Sequence, residues 1–397
     1  LRCMMNDTAK RILGLAVGHG AADFYLPVIP ALLPALIPIF QEQGITSYLM
    51  TSCLFTLVML AMAVFEPLAG YWADKNKLTP GLSWTIILTG IAIALYGVTQ
   101  NYWVLFILAI VSGFGNSLFH PNAYMQVNQI SKDSNRGTLL SIFSIGGSFG
   151  YAAAPIAAGF LYAWGGFPAL ILLVIPAVVV AIAIKKLPQK PYVSNEVKKE
   201  PVIKEKTKWG RVSLLIIINS FRFIVYDGLL MFAAIYLTDF VGIDYVVATS
   251  IVTAMLFAAM FGTMLVGPLS DKLGRKEILI GVYLLAALCY GCIFLFTGVL
   301  SVIFLILSGF FLMASASVEI AIIQEYMPGA VGFASGVITG LPNGISAVAM
   351  IFLGLLADYF TLPFALQSLF FILAIAFVLC IVLPYPFRIA KKKRLVE

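Results

Sequence analysis

Charged side chains are scarce in this chain. Asp, Glu, Lys and Arg together make up 11% of its 397 residues, and histidine occurs only twice. Soluble globular domains carry about 25% charged residues. Hydrophobic residues reach 61% and the mean hydropathy is +1.00, so the composition excludes a soluble globular fold. It is typical of a polytopic helical membrane protein.

The signatures of several catalytic and cofactor sites are also absent. The sequence contains no phosphate-binding loop of the form GxxxxGK[S/T] and no zinc-binding HExxH helix. Its five cysteines are scattered, and Cys289 and Cys292 lie in an apolar run, where they suit helix packing better than redox chemistry. Two histidines in total also leave little for a metal site. We therefore expect no enzymatic activity, no cofactor and no metal site.

Long hydrophobic runs are what the sequence has in abundance. A helix of about 20 apolar residues spans the hydrocarbon core of a bilayer. Twelve runs have sufficient length, and they cover residues 11–40, 48–73, 82–99, 103–129, 136–164, 167–186, 211–239, 245–268, 277–297, 301–326, 331–357 and 363–385. We predict an all-α membrane protein with twelve transmembrane helices. The first run contains Pro27, Pro30, Pro34 and Pro38, and we expect them to kink its outer half.

The basic residues predict the orientation of these helices, because Lys and Arg accumulate in cytoplasmic connections. With a cytoplasmic N-terminus, twelve crossings place all 25 Lys and Arg on the cytoplasmic side except Arg222, which lies inside a run. We therefore predict a multi-pass protein of the plasma membrane (the cell inner membrane) with both termini in the cytoplasm. The net charge of +7 then reflects topology and contact with anionic lipids rather than binding of nucleic acid.

The longest polar connection divides the chain into two halves. It covers residues 187–210 and lies between the sixth and seventh runs. We predict a first six-helix bundle at 1–186, a cytoplasmic linker at 187–210 and a second six-helix bundle with a basic tail at 211–397.

The two halves also repeat each other. Asp74 in the segment GYWADKNK and Asp271 in the segment GPLSDKLGRK are 197 residues apart, and segments that begin at Arg136 and Val331 align with an offset of 195. Such parallel repeats predict two pseudo-symmetric bundles with a binding site between them near the middle of the bilayer.

Ionisable residues inside the runs are the strongest functional indicators, since a charge at a helix centre costs about 2.5–3.5 kcal/mol on insertion scales. Seven such residues occur, and all but one of them belong to runs 1, 4, 7 and 10. They are His19, Asp23, Glu66, His120, Arg222, Asp227 and Glu319.

His19 and Asp23 are four residues apart in the segment GHGAADFYLP, so a helix places them on one face. We predict that Asp23 and His19 bind and release protons, together with His120, Glu66 and Glu319. The alternative is structural: His19 would cap a kinked backbone, and Asp23 would hold a hydrogen bond to a neighbouring helix.

Arg222 requires an acidic partner or an anionic ligand. Asp227 is five residues away, which is a poor spacing on one helix, so Asp23, Glu319 or the substrate itself remain open as partners. The candidate substrate-binding residues are Arg222, Asp227, Tyr25, Asn116, Asn122 and Tyr226. For the amides and aromatics, packing between helices is the alternative.

Small residues in the fifth run predict a close helix contact. Gly146 and Gly150 are one turn apart, and Gly147, Ala154 and Gly159 lie nearby. Such a face lets two helices approach closely and slide. General packing of membrane helices would select the same residues.

The short basic loops after the second and eighth runs predict a gate. Asp271 can accept charge-assisted hydrogen bonds from Lys272 and Arg275. Asp74 and Lys75 hold the matching positions in the first half. We predict that these residues latch one of two bundle arrangements. The alternative is ordinary flanking of cytoplasmic span ends by basic residues, which explains the Lys and Arg but not the repeated Asp.

The sequence resembles the major facilitator superfamily. GPLSDKLGRK at 267–276 is similar to the loop signature of that superfamily, whereas the first copy has Lys77 and Leu78 where Gly-Arg is usual. The segments GHGAADFYLPVIPALLP, EPLAGYWADK, SLFHPNA and RGTLLSIFSIGGSFGYAAAP further resemble the fosmidomycin-resistance family of efflux proteins. Glu66 stands where that resemblance would place Gln.

The resemblance implies a transporter whose runs 1, 4, 7 and 10 line a central cavity. We expect a proton-coupled antiporter that exports small anionic or amphipathic toxic compounds by alternating access and confers antibiotic resistance. The alternative is a proton-coupled uptake symporter for an organic anion or nutrient. The expected partners are a small-molecule substrate, protons and the lipid bilayer, and we expect a monomer.

Overall fold

A computed structural model of the chain describes residues 2–76, 81–131, 136–186, 209–327 and 331–387. Every regular element in these ranges is helical. The α-helices are α1 (Arg2–Phe24), α2 (Val28–Glu42), α3 (Tyr48–Asn76), α4 (Leu82–Ala94), α5 (Tyr102–Ile130), α6 (Arg136–Ala169), α7 (Val174–Lys185), α8 (Trp209–Ile235), α9 (Tyr245–Leu273), α10 (Arg275–Leu295), α11 (Val299–Ala314), α12 (Ala316–Tyr326), α13 (Val331–Tyr359) and α14 (Leu362–Val382). The predicted linker lies outside the described residues except for its last two positions.

Ten segments of the described chain are long and apolar enough to cross a membrane. One of them, Thr138–Lys185, is 48 residues long, and its helix breaks at Gly165 and Gly166. Gly166 has a φ of 63°, which favours glycine, so this segment contains two crossings. The shorter apolar helix Leu82–Gly97 coincides with the third predicted run. The described residues therefore contain the twelve crossings that the sequence predicts.

The first crossing is built from two helices. α1 ends at Phe24, and α2 begins at Val28 after a turn that contains Pro27. Proline removes a backbone donor and clashes with the preceding turn, which is why it breaks helices. Pro34 and Pro38 lie inside α2. The kink that the prolines predict in this run is therefore located at residues 25–27.

The chain forms two compact units. The first comprises Leu1–Ser194 and Leu237–Thr253, and the second comprises Asn195–Tyr236 and Ala254–Glu397. Each unit has its own buried core and its own cluster of buried polar side chains. The division into bundles at 1–186 and 211–397 remains a prediction.

One pair of helices repeats with an offset found in the sequence. α3 and α9 begin 197 residues apart, at Tyr48 and Tyr245. The duplication is thus visible in the helices themselves.

In the first unit, α1 and α6 approach each other through glycines. A Cβ atom at Gly146 would collide with the backbone carbonyl of Ala16, and a Cβ atom at Gly150 would collide with that of Gly20. Backbone atoms cannot move aside as a flexible side chain can. This confirms the close contact that small residues in the fifth run predict, and it brings α6 against the part of α1 that carries His19.

We expect that a single added methyl group at this contact destabilises the protein. Gly150→Ala should lower the free energy of unfolding by about 1–3 kcal/mol, because overpacking forces the backbones apart. Gly281→Ala in α10 is the matched control, since nothing lies within 4 Å of its added Cβ. Thermal unfolding in detergent measures both variants. Equal midpoints for the two variants would contradict the close contact.

Candidate functional site

Three ionisable side chains of the first unit meet in one hydrogen-bonded cluster. α1 carries His19 and Asp23, and α5 carries His120. His19 Nε2 lies 3.1 Å from Asp23 Oδ2, and His120 Nε2 lies 3.0 Å from Asp23 Oδ1. The pairing of His19 with Asp23 on one helix face is confirmed. We call His19, Asp23 and His120 the triad.

The second ring nitrogen of His19 is held by the backbone of α6. His19 Nδ1 lies 2.8 Å from the carbonyl oxygen of Phe143, and the imidazole stacks on the Phe143 ring with centroids 4.1 Å apart. A carbonyl oxygen only accepts hydrogen bonds, so Nδ1 must carry the hydrogen. In a neutral His19, Nε2 then has a bare lone pair facing the Asp23 carboxylate.

Two acceptors that face each other at 3.1 Å require a cation between them. A proton satisfies this requirement in two ways: His19 becomes an imidazolium beside a carboxylate, or Asp23 becomes a carboxylic acid that donates to Nε2. Either form adds one proton to a bare carboxylate and a neutral imidazole. The geometry of this contact therefore suits a cation.

The triad is largely shielded and sits beside a glycine. Its side chains are 8%, 16% and 12% exposed for His19, Asp23 and His120. A Cβ atom at Gly147 would lie 2.6 Å from His19 Nε2 and 2.7 Å from Asp23 Oδ2. Asn116 of α5 donates from Nδ2 to the carbonyl oxygen of Ala22 at 2.8 Å, which ties α5 to α1. Because Gly147 has no side chain, His19 and Asp23 can occupy the space beside it.

The second unit buries a different ionisable cluster. Arg222 on α8 is 2% exposed, and its Nη2 lies 3.4 Å from Oε2 of Glu319 on α12, which is fully buried. Arg222 Nη2 also donates to Asn219 Oδ1 at 2.6 Å, and Nη1 contacts the Met313 sulfur at 2.9 Å. The Tyr283 hydroxyl donates to Glu319 Oε1 at 2.7 Å. The sequence left Asp23, Glu319 and the substrate as possible partners of Arg222. In the structure Arg222 pairs with Glu319.

Asp227 has a separate partner in the same unit. The Ser346 hydroxyl of α13 donates to Asp227 Oδ2 at 2.5 Å. Asp227 and the adjacent Tyr226 are both 6% exposed. The five-residue spacing predicted that Asp227 would not pair with Arg222. In agreement, Asp227 bonds to Ser346 and Arg222 pairs with Glu319.

The remaining polar candidates are Tyr25, Asn122 and Glu66. The Tyr25 hydroxyl is fully buried and donates to the carbonyl oxygen of Leu173 at 2.9 Å. Asn122 is buried on α5, where its Oδ1 accepts from Gln126 Nε2 at 3.4 Å. Glu66 is half-buried on α3. Contact of these residues with protons or substrate remains a prediction.

The second basic loop forms a network of charges at the helix ends. Arg275 Nη2 lies 3.3 Å from Asp271 Oδ1, and Arg275 Nη1 pairs with Glu325 at the end of α12. The Tyr385 hydroxyl, beyond the last span, donates to Glu325 Oε2 at 2.6 Å. Burial raises the pKa of Tyr385, and its hydrogen bond to Glu325 and the Glu325 charge raise it further. Lys272 is exposed.

The matching residues of the first loop cannot be placed in the same way. Asp74 and Lys75 belong to the last turns of α3, but their side chains lie outside the described part of the structure. The latch in the first half therefore stays a prediction.

Sequence reasoning missed several residues that complete these clusters. Phe143 accepts a hydrogen bond from His19. Asn219 accepts one from Arg222, which lies three residues further along α8. That spacing was a readable signal for Asn219. Tyr283 and Ser346 come from distant helices, and nothing in the local sequence marks them.

Comparison with known proteins places the chain among transporters. The sequence profile described as Major Facilitator Superfamily matches residues 21–341 and 215–396. The fosmidomycin resistance protein of Escherichia coli (strain K12) is 27% identical over 89% of this chain and 87% of its own length. The MFS-type transporter YfnC of Bacillus subtilis (strain 168) is 30% identical over 87% of this chain and 85% of its own length.

The fold is also similar to solved structures. The crystal structure of a bacterial homologue of the human lysosomal transporter Spinster, in an inward-facing and unoccupied conformation, matches with a TM-score of 0.79. The match covers 95% of this chain and 96% of that one at 16% identity, so it concerns the fold alone.

Replacement of either member of the buried ion pair is expected to destabilise the protein. Arg222→Met leaves the Glu319 carboxylate unpaired, and Glu319→Gln leaves the guanidinium unpaired; removal of one partner of a buried pair costs about 3–5 kcal/mol. The double variant removes both charges and should recover part of the loss. Thermal unfolding of all three variants in detergent checks this. Strictly additive losses would contradict direct pairing.

Proposed function

This chain belongs to the major facilitator superfamily, and we propose that within it the protein is a proton-coupled antiporter that exports small anionic or amphipathic toxic compounds. Membership makes it a multi-pass membrane transporter of small molecules rather than an enzyme. Proton coupling, the direction of transport and the class of substrate are the proposed part.

The triad is the single observation that carries proton coupling. It places a carboxylate between two imidazoles inside the membrane-spanning part of α1 and α5, at 3.1 and 3.0 Å. The hydrogen bond from His19 Nδ1 to Phe143 leaves Nε2 facing Asp23, which suits a cation between the two, and the proton is the smallest one. Asp23 is the proposed proton carrier, with His19 and His120 as the groups that share its proton.

The energy of one proton is sufficient for export. One charge that moves through about 150 mV releases about 3.5 kcal/mol, which equals a substrate gradient of about 300-fold. A single triad can therefore drive useful transport without a second proton site. Glu66 and Glu319 are further candidates for proton binding.

The second unit offers the features that an anionic substrate needs. Within the described residues, the Nε atom of Arg222 has no hydrogen-bond partner, and Nη1 faces only the weak acceptor sulfur of Met313. The guanidinium therefore has donor capacity for a phosphonate or carboxylate oxygen. The fosmidomycin resistance protein supports this class, because fosmidomycin is a phosphonate. Asp227, Tyr226, Tyr25, Asn116 and Asn122 are proposed to contribute further contacts.

The charged network at the helix ends is proposed to act as a gate. Arg275 links Asp271 of α9 to Glu325 of α12, so its release would free two helix ends at once. Lys272, and Asp74 with Lys75 in the first half, are assigned to the same role through the repeat. The proposed setting is the plasma membrane with both termini cytoplasmic and a monomeric protein.

Expression of this protein in sensitive cells is expected to raise the inhibitory concentration of fosmidomycin. Export lowers the concentration of the compound inside the cell, and collapse of the proton gradient should abolish the effect. Growth assays on a panel of anionic and amphipathic antibiotics measure it. Increased sensitivity to fosmidomycin would contradict export and favour the uptake symporter.

Asp23→Asn is expected to abolish proton-coupled transport. The amide cannot be ionised but keeps the size of the side chain, so folding should be retained. In inside-out vesicles with an acidic lumen, fosmidomycin should cause proton efflux from the lumen in the wild type and none in the variant. The matched control is Asp239→Asn, which changes an exposed carboxylate. Full proton coupling in Asp23→Asn would refute the carrier role.

A further inference from the structure

Both histidines of the chain converge on one carboxylate. The two imidazoles and the carboxylate of the triad each offer one ligand atom, and these atoms all lie within 4.8 Å of one another. We propose that His19, His120 and Asp23 form a binding site for a divalent transition-metal ion of the Zn²⁺, Co²⁺ and Ni²⁺ class. The sequence-based expectation of no metal site counted the histidines, and the structure brings both of them to one carboxylate.

The donor atoms fit the ion in kind and in spacing. Imidazole nitrogen and carboxylate oxygen are the ligands that suit these metals, and three protein ligands leave one coordination position open. Tetrahedral bonds of about 2.0–2.1 Å place neighbouring ligand atoms about 3.3 Å apart. The nitrogen to oxygen separations of 3.1 Å to Asp23 Oδ2 and 3.0 Å to Asp23 Oδ1 are close to that value, and all ligand atoms lie within 4.8 Å of one another. Movement of the two imidazoles towards a single carboxylate oxygen would form the site.

The surroundings of His19 are those of a metal ligand. Histidines that bind metals usually donate their other ring N–H to a carbonyl or carboxylate, which fixes the tautomer and the ring orientation. His19 Nδ1 has this bond to the Phe143 carbonyl at 2.8 Å, and Phe143 also stacks on the ring. The lone pair of Nε2 is thereby directed towards Asp23, where the ion would lie.

Charge and space permit an ion at this position. Two neutral imidazoles and one carboxylate carry a single negative charge, so a divalent ion leaves one positive charge for a water molecule or an anion as fourth ligand. The missing Cβ of Gly147, beside His19 Nε2 and Asp23 Oδ2, keeps side-chain atoms out of this space. Partial exposure of each member, at most 16%, separates the site from bulk water without sealing it.

The scarcity of histidine makes the test specific. Because the chain has only two histidines, any imidazole bound to a metal in protein produced without a polyhistidine tag belongs to this site. Co²⁺ added to the detergent-purified protein should give visible absorption bands of low-symmetry coordination, saturating at one ion per chain. X-ray absorption of the Zn²⁺ form should show two imidazoles and no sulfur. Sulfur ligands, or no saturable binding, would overturn the proposal.

Variants assign the ligands without any transport assay. His120→Gln and Asp23→Asn should each weaken Co²⁺ binding by about 10–100-fold or more, as loss of groups around a metal does. His120→Asp keeps a ligand atom and should retain measurable binding. The control is Cys289→Ser/Cys292→Ser, which removes two free thiols and should leave binding unchanged. Equal affinity in all variants would reject the triad as the site.

Thermal unfolding gives a second readout, because an ion that binds only the folded state raises the midpoint. Zn²⁺ should raise the midpoint of the wild type and of Cys289→Ser/Cys292→Ser, but not that of His120→Gln. If His120→Gln does not fold, Asp23→Asn takes its place in this comparison. An equal Zn²⁺-induced rise of the midpoint in the wild type and in the ligand variant would contradict the proposal.

These experiments are independent of the proposed function. They use no substrate, vesicle or proton gradient, so failure of antiport would leave the metal measurement intact, and failure of metal binding would leave proton coupling open. Where both hold, Zn²⁺ should inhibit the proton efflux that fosmidomycin causes, because the ion takes the Nε2 and carboxylate lone pairs that bind the proton.

Discussion

The cost of placing a charge in the hydrocarbon layer governs this structure. An ionisable side chain at the centre of a membrane helix is expensive and must find a partner inside the protein. Asp23 meets the requirement with two histidines, Arg222 with Glu319 and Asn219, and Asp227 with Ser346. The few polar residues of an otherwise apolar chain therefore gather into clusters, one set in each compact unit.

The triad depends on glycine as much as on its own members. α6 approaches α1 because Gly146 and Gly150 present no side chain to the α1 backbone. Gly147 lies one turn after Phe143, and a side chain there would collide with the His19 ring, which bonds to the Phe143 carbonyl. The position of an ionisable group is thus set by a contact between two backbones. Loss of that contact would alter the chemistry of His19 without changing any ionisable residue.

Features determined by local spacing could be predicted from the sequence. Helix geometry alone places His19 and Asp23 on one face, and hydrophobic length alone identifies the crossings. The break at Gly165 and Gly166 also followed, since it separates two predicted runs. The kink near Pro27 followed from the chemistry of proline.

Features determined by the packing of distant helices could not be predicted. His120 joins Asp23 from 97 residues away, and Tyr283 reaches Glu319 from 36 residues away. No periodicity encodes such a meeting. For Arg222 the sequence correctly required a counter-charge but offered several, and only the arrangement of α8 and α12 selects Glu319. The number of histidines argued against a metal site, but a residue count does not show which side chains lie close together in the fold.

The bond between His19 and Phe143 links the position of α6 to the cation affinity of the triad. While Nδ1 donates to that carbonyl, Nε2 can contact Asp23 only with a cation between them. If α6 slides along α1 far enough to break the bond, His19 can place its hydrogen on Nε2 and donate it to the carboxylate as a neutral ring. The added cation is then no longer required. Because binding and conformation are linked reciprocally, a cation that enters the triad favours the arrangement with the Phe143 bond intact.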